Sequence, residues 1–570
     1  MSSPFEEGLP DSKLCLVGES PSFMELKLNR PFVGPAGELL DRLLHAAGII
    51  RREVYITNVF DDEVKKPRDD NNKIVSKDGT LLLWTSGRGF TEAGLEASKG
   101  CRERLTRCSA NVIVPLGAPA LHLVMGEPRS VTKWRGSILM GMGEVGAGRK
   151  VIATIHPSAC LKGVYEWRWL LVADLKKAKR ESAYADIRRP PRNFVVNPSW
   201  DQAMERLVAA QSASYIATDI ELLGGHVDCF SIATSPSEAI SIPIVDAGFE
   251  PRWTVAEETE IWRLYASLIS NPRIRKINQN ITFDLAVLLQ LNGIVPAGPM
   301  DDCMVAHSVM NPFLDKDLGT LCSLYTDEPY YKDQGELHDS FKVDDFERRW
   351  LYNAKDAAIA LECWQALEPA LDRDGYRSTY EMTMELLPSL IEMTVGGVRV
   401  NAGALAEAKK KAEADIAQIV ARMGPIFGRP IITSAPKTAK QKRAAAGSLN
   451  INSPAQLMAY FYTEKGLKPY KGKNDKFTID DTALARIVRR DNMEEARLLQ
   501  SYRHIDKSLS SYLGVKYDHD GYLRSSWNIR GAWTGRLSCS KTVFGTGLNQ
   551  QTMTEDFAHF VESAADENAA

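Results

Sequence analysis

Asp219 and Glu221 stand two residues apart in the run "ASYIATDIELLGG", so in an extended strand both carboxylates leave the same face. A lone Asp-x-Glu is commonly a solvated surface pair, but two further signals follow in order. "NQNITFD" places Asn280 four residues before Asp284, and "YNAKD" places Tyr352 and Asp356 four apart, on one face of a helix. Taken singly, Tyr352 reads as a half-buried core aromatic and Asp356 as a solvated helix carboxylate. Four carboxylates brought together repel one another unless cations neutralise them, and hard oxygen ligands suit Mg2+ or Mn2+. Two such ions can activate a water and stabilise the leaving oxygen of a phosphodiester, with Tyr352 placed to hold that water.

A second set lies nearer the N-terminus. "VGESPSFMELKLNRPFVGPAG" follows an apolar strand, then come "VYITNV" and "TIHPSACLKG". Individually Gly18 and Gly34 read as turn residues, Asn58 as a strand-end residue and His156 as a satisfied loop histidine. Together they supply the parts of a pocket for a flipped base. The Asn58 amide can donate to and accept from a pyrimidine edge, and Phe32 can stack on its face. His156 can donate to a carbonyl oxygen that gains charge as a glycosidic bond breaks. Glu19 could orient a water or stabilise a cationic sugar.

The first set resembles the 3′–5′ exonuclease family of the DnaQ-like fold, in the form fused to DNA polymerase I-type enzymes. The matches are Asp219/Glu221, Asn280/Asp284 and Tyr352/Asp356, and "DDCMVAHSVMNP" and "DLGTLCSLY" also fit. The resemblance spans about 195–370. It implies proofreading activity, two Mg2+ or Mn2+ ions on Asp219, Glu221, Asp284 and Asp356, and DNA contact by Asn280. Phe283 reads as core, and Asp301 and Asp302 as caps of the following helix.

The second set resembles family 4 uracil-DNA glycosylases over about 12–180, through Gly-Glu-x-Pro, Pro-Phe-Val-Gly-x-Ala-Gly, the Asn strand and His-Pro-Ser. The resemblance implies Glu19 and His156 as catalytic groups, with Ser20, Phe32, Asn58 and His156 holding uracil. The family carries an iron–sulfur cluster on four Cys. Here the leading Cys pair is absent and Cys101 and Cys108 alone cannot bind it, so no cluster is expected. Ser22 replaces a Gly of the first motif, and "DDEVKKPRDDNNK" replaces a basic, Pro-rich stretch. Uracil excision is one reading of this pocket, and a retained fold used for DNA tethering, uracil sensing or protein docking is the other.

From about residue 378, "YEMTMELLPSLIEMTVGGVRVN", "INSPAQLMAYFY", "LLQSYRHIDKSLSSYL" and "DGYLRSSWNIRGAWTGRLSCS" resemble, in order, the thumb and first palm strands of family A DNA polymerases. Lys437, Lys440, Lys442 and Arg443 lie between helices, as a solvated loop or a thumb tip gripping phosphates. Thr534, Gly535 and Arg536 correspond to primer–template contacts in that family. No Asp-Tyr-Ser-like palm strand, fingers helix or His-Asp-Glu motif is found in the sequence. The expectation is therefore a split replicative polymerase whose palm and fingers are on a second subunit, with a bacteriophage source suggested by the glycosylase fusion. A stand-alone repair nuclease and an inactive DNA-binding scaffold are the rival readings. In "LRSSWNIRGAW" the alternation predicts Leu523, Trp527, Ile529 and Trp533 on one face of a strand, an apolar face in need of a cover.

These groups must be held by more than one core. A chain of 570 residues exceeds what one core usually serves. Apolar strands alternating with helices through about 1–185 predict a glycosylase-like parallel α/β domain. A run of strands and then helices through 186–375 predicts a ribonuclease H-like exonuclease α/β domain, and 376–570 reads as the mainly helical thumb and the start of the palm. The Pro-rich "DIRRPPRNFVVNPSW" reads as a linker. With a net charge of −3, contact with primer–template or single-stranded DNA must come from local basic patches. Nine scattered Cys, no bilayer-length apolar run and no signal-peptide pattern predict a cytoplasmic protein with no membrane partner.

Overall fold

A computed structural model describes residues 5–65, 73–334, 343–438, 441, 443, 445–472 and 475–562. By contact density the chain divides into two units. One is Met1–Pro388 with Ile529–Arg536, and the other is Ser389–Asn528 with Leu537–Ala570.

In the first unit, two six-stranded sheets carry the two candidate sites. The N-terminal sheet runs Glu6–Glu7, Tyr55–Asn58, Leu14–Gly18, Val112–Pro115, Lys150–Ile152 and Ile138–Met140 in spatial order. Its four central strands are mutually parallel. They are buried on both faces, which explains their unbroken apolar runs such as "LCLVG" and "VIVP". Helices Pro35–Ala46 and Arg168–Glu181 cover one face with Leu40, Leu43, Leu171 and Leu175. An antiparallel four-stranded sheet, Val64–Lys65, Ile74–Ser76, Leu82–Thr85 and Gly89–Phe90, follows the Asn58 strand. No periodicity in the sequence signals this sheet.

The second sheet runs Asn193–Val195, Glu238–Pro243, His226–Ser235, Tyr215–Leu223, Arg275–Asn278 and Met300–Asp302. Its outermost strand, Asn193–Val195, falls inside the stretch read as a linker, where it pairs parallel with Glu238–Ile240. Helix Val343–Arg373 packs on the strands Tyr215–Leu223 and His226–Ser235. Ala354, Ala357, Ala358 and Ala360 are buried along it, and such small side chains let a helix approach a sheet closely. That approach brings the polar groups of this helix to the carboxylates of the central strand.

The second unit is mainly helical. Helix Ala402–Phe427 starts at Asn401, whose side chain accepts from Ala404 N, and stops at Gly428 in the left-handed region. It packs with Asp481–Asp491 and Glu494–Ser508 around Met423, Leu484, Leu499 and Tyr502. Strands Val398–Val400, Tyr522–Leu523 and Val561–Glu562 form a small antiparallel sheet, and Ser526–Asn528 pairs with Ser538–Ser540.

The expected strand through 523–533 is corrected here. Its pairing ends at Asn528, and Arg530 takes a left-handed backbone with φ of 51°, which breaks the alternation. Leu523, Trp527 and Ile529 are buried within this chain, whereas Trp533 is 63% exposed. Trp527 therefore needs no cover from another polypeptide.

Candidate active sites

The Tyr215–Leu223 strand holds Asp219 and Glu221, and helix Val343–Arg373 brings Asp356 to them. One ligand oxygen from each of the three lies within 4.8 Å of the others, and this is the only such metal-capable group among the described residues. An all-carboxylate donor set with no sulfur or nitrogen fits a hard divalent ion such as Mg2+ or Mn2+. The fourth expected ligand, Asp284, is buried just behind: its Oδ1 accepts from Ile220 N at 3.0 Å, in the peptide between the two strand carboxylates. Burial pushes Asp219 far above the ordinary carboxylate range, and repulsion from Asp356, Asp284 and Glu221 adds to it. Burial likewise raises Glu221, to about 7, against the opposing pull of Arg349. Such a cluster favours any cation that reaches it.

Tyr352 lies one helical turn before Asp356, and burial followed by the Asp356 charge strongly disfavours its ionisation, so it remains a phenol. Asn280 opens helix Ile281–Asn292 in the left-handed region. Its backbone N–H and that of Ile281 donate to Asp302 Oδ1 and Oδ2, both at 3.0 Å. Asp302 also caps the helix Cys303–Met310 as the sequence predicts, accepting from Met304 N at 2.7 Å.

Four further residues belong to this site. Asn353 donates to Asp219, and Arg349 forms a two-bonded ion pair with Asp228 while lying 3.4 Å from Glu221. Both share a helix face with Tyr352 and Asp356 at positions 349, 352, 353 and 356, a polar stripe visible in the sequence. Tyr331 and Lys332 reach Asp356 from a separate segment, and no spacing signals them.

The second candidate site sits at the C-terminal edge of the N-terminal parallel sheet, where open α/β sheets place their ligands. Gly18 and Asn58 are paired at the ends of adjacent strands, and Glu19 and Ser20 follow Gly18. A Cβ on Gly18 would come 2.3 Å from Asn58 Oδ1 and 2.5 Å from Phe32 Cζ, so only glycine lets both side chains close on this point. Asn58 is 1% exposed, and its amide nitrogen is buried with no hydrogen-bond partner, a donor left unsatisfied within the chain. Phe32 holds a left-handed backbone, φ 53°, and its ring lies 5.9 Å from that of His156. Ser158 N donates to His156 Nδ1 at 3.2 Å, which leaves the ring proton on Nε2 in the neutral tautomer. Glu19 and His156 line a cavity of about 540 Å3, walled on its other side by Ile74, Trp84 and Gly87 of the four-stranded insertion. The buried Cys101 and Cys108 join the core beneath this sheet and form no metal-capable group of three or more with other described side chains.

Of the expected DNA contacts, Lys437 and Arg443 are exposed, and Lys440 and Lys442 lie outside the described residues. Thr534 and Arg536 are exposed on a turn closed by Ala532 N to Arg536 O at 3.1 Å, with Gly535 at φ 84°.

Comparison with known proteins matches three successive segments of the chain. Residues 5–183 match the profile of the uracil DNA glycosylase superfamily, 198–372 that of a 3′-5′ exonuclease, and 431–544 that of DNA polymerase family A. A type-4 uracil-DNA glycosylase of Thermotoga maritima is 38% identical over 175 residues, 30% of this chain and 79% of that protein. The type-4 uracil-DNA glycosylase of Archaeoglobus fulgidus is 30% identical over 158 residues, 27% of this chain and 69% of that protein. DNA polymerase I of Rhizobium leguminosarum is 26% identical over 417 residues, 65% of this chain but only 37% of that relative's length. The chain thus belongs to the type-4 uracil-DNA glycosylase family through its N-terminal domain, to which it joins a 3′-5′ exonuclease domain and a DNA polymerase family A domain.

Proposed function

We propose that this chain is the N-terminal subunit of a replicative family A DNA polymerase and that it removes nucleotides from DNA 3′ ends in proofreading. The observation that carries the reading is the convergence of Asp219, Glu221 and Asp356 within 4.8 Å, inside the segment that matches the exonuclease profile. Asp219, Glu221 and Asp356, with Asp284 behind them, would hold divalent metal, which when bound supplies Lewis-acid activation of water and charge stabilisation at the phosphodiester. The chain's own groups do the rest. Asn353 fixes the Asp219 carboxylate, and Arg349 balances part of the charge on Glu221. The Tyr352 phenol would orient the attacking water beside Asp356. Asn280, at the start of the Asp284 helix, would contact the incoming strand.

The N-terminal pocket supports uracil recognition. The unpartnered Asn58 amide, the Nε2–H of His156 and the Phe32 ring are the donor set and stacking face that a flipped pyrimidine requires. Nucleotide addition in the polymerase family needs palm and fingers motifs, which are not found in this sequence. The arrangement proposed is a second subunit carrying them, with Thr534 and Arg536 at the primer–template and Lys437, Lys440, Lys442 and Arg443 on its backbone.

The test uses a 5′-labelled single strand with Mg2+. A ladder shortening from the 3′ end supports the reading, and an intact strand under these conditions removes it. A uracil-containing strand bound in preference to its cytosine counterpart supports the pocket, and abasic-site formation then separates excision from sensing.

A further inference from the structure

Both oxygens of Asp356 are engaged by one short segment. Tyr331 OH donates to Oδ1 at 2.7 Å, and Lys332 Nζ donates to Oδ2 at 2.5 Å. The same ammonium stands 4.2 Å over the Tyr352 ring. Lys332 is therefore a fixed positive charge inside the carboxylate cluster, on the ligand that the helix contributes.

The segment that carries it is held from the other side by the glycosylase-like domain. Lys177, buried, donates from Nζ to the carbonyls of Ser323 and Thr326, both at 2.8 Å, and to its own domain's Gly136 at 2.9 Å. Arg135, buried against Asp174, donates to Ser323 Oγ at 2.8 Å. Two residues after Arg135 the buried Ser137 Oγ accepts from Tyr330 N at 3.0 Å, and the Trp134 and Tyr330 rings meet edge to face at 5.5 Å. The Lys133–Asp333 pair, 2.7 Å, closes the run, but both partners are about half exposed and it adds little. Residues 323–333 thus form a strap with alternate contacts: Ser323, Thr326 and Tyr330 to the N-terminal domain, Tyr331 and Lys332 to the carboxylate site.

We propose that Lys332 is a positioning residue of the exonuclease site, competing through Asp356 with the divalent ion, and that the glycosylase-like domain sets this competition by gripping the strap. The inference rests on the metal-dependent reading above and goes beyond it, since it makes the metal affinity of one domain a property of its contact with another.

The test is a Mn2+ titration of the full chain, followed by the magnetic resonance signal of free Mn2+, in the absence of DNA. Removing one positive charge beside a metal ligand, in Lys332→Met, is expected to tighten Mn2+ about tenfold. Lys332→Arg keeps the charge and is expected to stay near the parent. Ser137→Ala, which releases Tyr330 N without touching the carboxylates, is expected to tighten Mn2+ by roughly twofold to threefold, a fraction of the direct effect. A merely structural strap gives the opposite sign, because loosening Asp356 weakens the site. Unchanged or weaker Mn2+ binding by a folded Lys332→Met overturns the proposal. Parental affinity in Ser137→Ala overturns the role of the N-terminal domain. A parent chain that binds no Mn2+ overturns the metal-dependent reading itself, which separates that failure from this one.

Discussion

The Asn353 amide nitrogen lies 2.9 Å from Asp219 Oδ2 and 3.1 Å from the Asp219 carbonyl oxygen, while its Oδ1 accepts from Ser241 Oγ at 2.8 Å. Asn353 is fully buried, so this one side chain fixes both the backbone and the carboxylate of Asp219 from the facing helix. Outer partners of metal ligands typically contribute ten- to a hundredfold to affinity or activity. Asn353→Ala is expected to lower the rate of 3′ digestion by about that factor and to cost about 1–3 kcal/mol of stability through the stranded Ser241 hydroxyl. Steady-state kinetics and urea unfolding check the two parts; a variant with the parent's rate shows that Asp219 needs no such support.

Arg349 bridges two acids of unequal burial. Asp228, 1% exposed, takes both of its short bonds at 2.8 Å, and Glu221 lies 3.4 Å away. Arg349→Met leaves the Asp228 charge buried and unpaired, a loss of about 3–5 kcal/mol. Chemical unfolding of the parent, Arg349→Met and the double variant with Asp228→Asn should show most of that loss recovered in the double variant.

At the N-terminal pocket, Gly18→Ala would drive a methyl group against Asn58 Oδ1 and Phe32. The expected outcome is loss of uracil preference, with about 1–3 kcal/mol of destabilisation from overpacking. Asn58→Ala should abolish the preference with the ring of Phe32 left in place. Fluorescence anisotropy with uracil- and cytosine-containing single strands measures both; retention of the preference in either variant contradicts the pocket assignment.

A pH effect follows from His307. It is fully buried beside Tyr325 OH, 2.7 Å from Nδ1, and burial lowers its pKa from 6.5 to about 4. The native state resists a proton that the unfolded chain accepts, so the folded state loses stability as pH falls from 6.5 towards 4 and is unaffected above that window. A shift of this size corresponds to about 3 kcal/mol. His307→Asn, which can still meet the Tyr325 hydroxyl, should flatten the pH dependence of unfolding across this window. Equal slopes for parent and variant would falsify the assignment.

Strand and helix periods made Asp219/Glu221 and Tyr352/Asp356 legible as same-face pairs, and the resemblance to the exonuclease family joined Asp284 to them. Phe32, Asn58 and His156 were singled out as parts of a base pocket through their chemistry and the resemblance to family 4 glycosylases, whereas Gly18 read as a turn residue although it stands beside Asn58 at the ends of adjacent parallel strands. Arg349 and Asn353 could have been found as polar members of the Tyr352–Asp356 helix stripe. Tyr331 and Lys332 could not, since their approach to Asp356 depends on how a strap folds back between two domains. The alternation through 523–533 misled because the left-handed Arg530 resets the phase, a backbone choice that hydrophobic periodicity does not register. The short strand Asn193–Val195 was hidden by the prolines before it, which are tolerated at the start of an edge strand.

Asp219, Glu221 and Asp356 are proposed to form a metal-dependent 3′–5′ exonuclease site. Its most direct measurement is the rate of release of a 3′-terminal labelled nucleotide from single-stranded DNA, with Mg2+ and with chelator, for the parent and for Asp219→Ala and Asp356→Ala. Release by the parent is expected in Mg2+ only, with a fall of about a thousandfold in each variant, equivalent to about 4 kcal/mol of transition-state stabilisation. Release that persists in chelator, or that proceeds at the parent's rate in both variants, would contradict it.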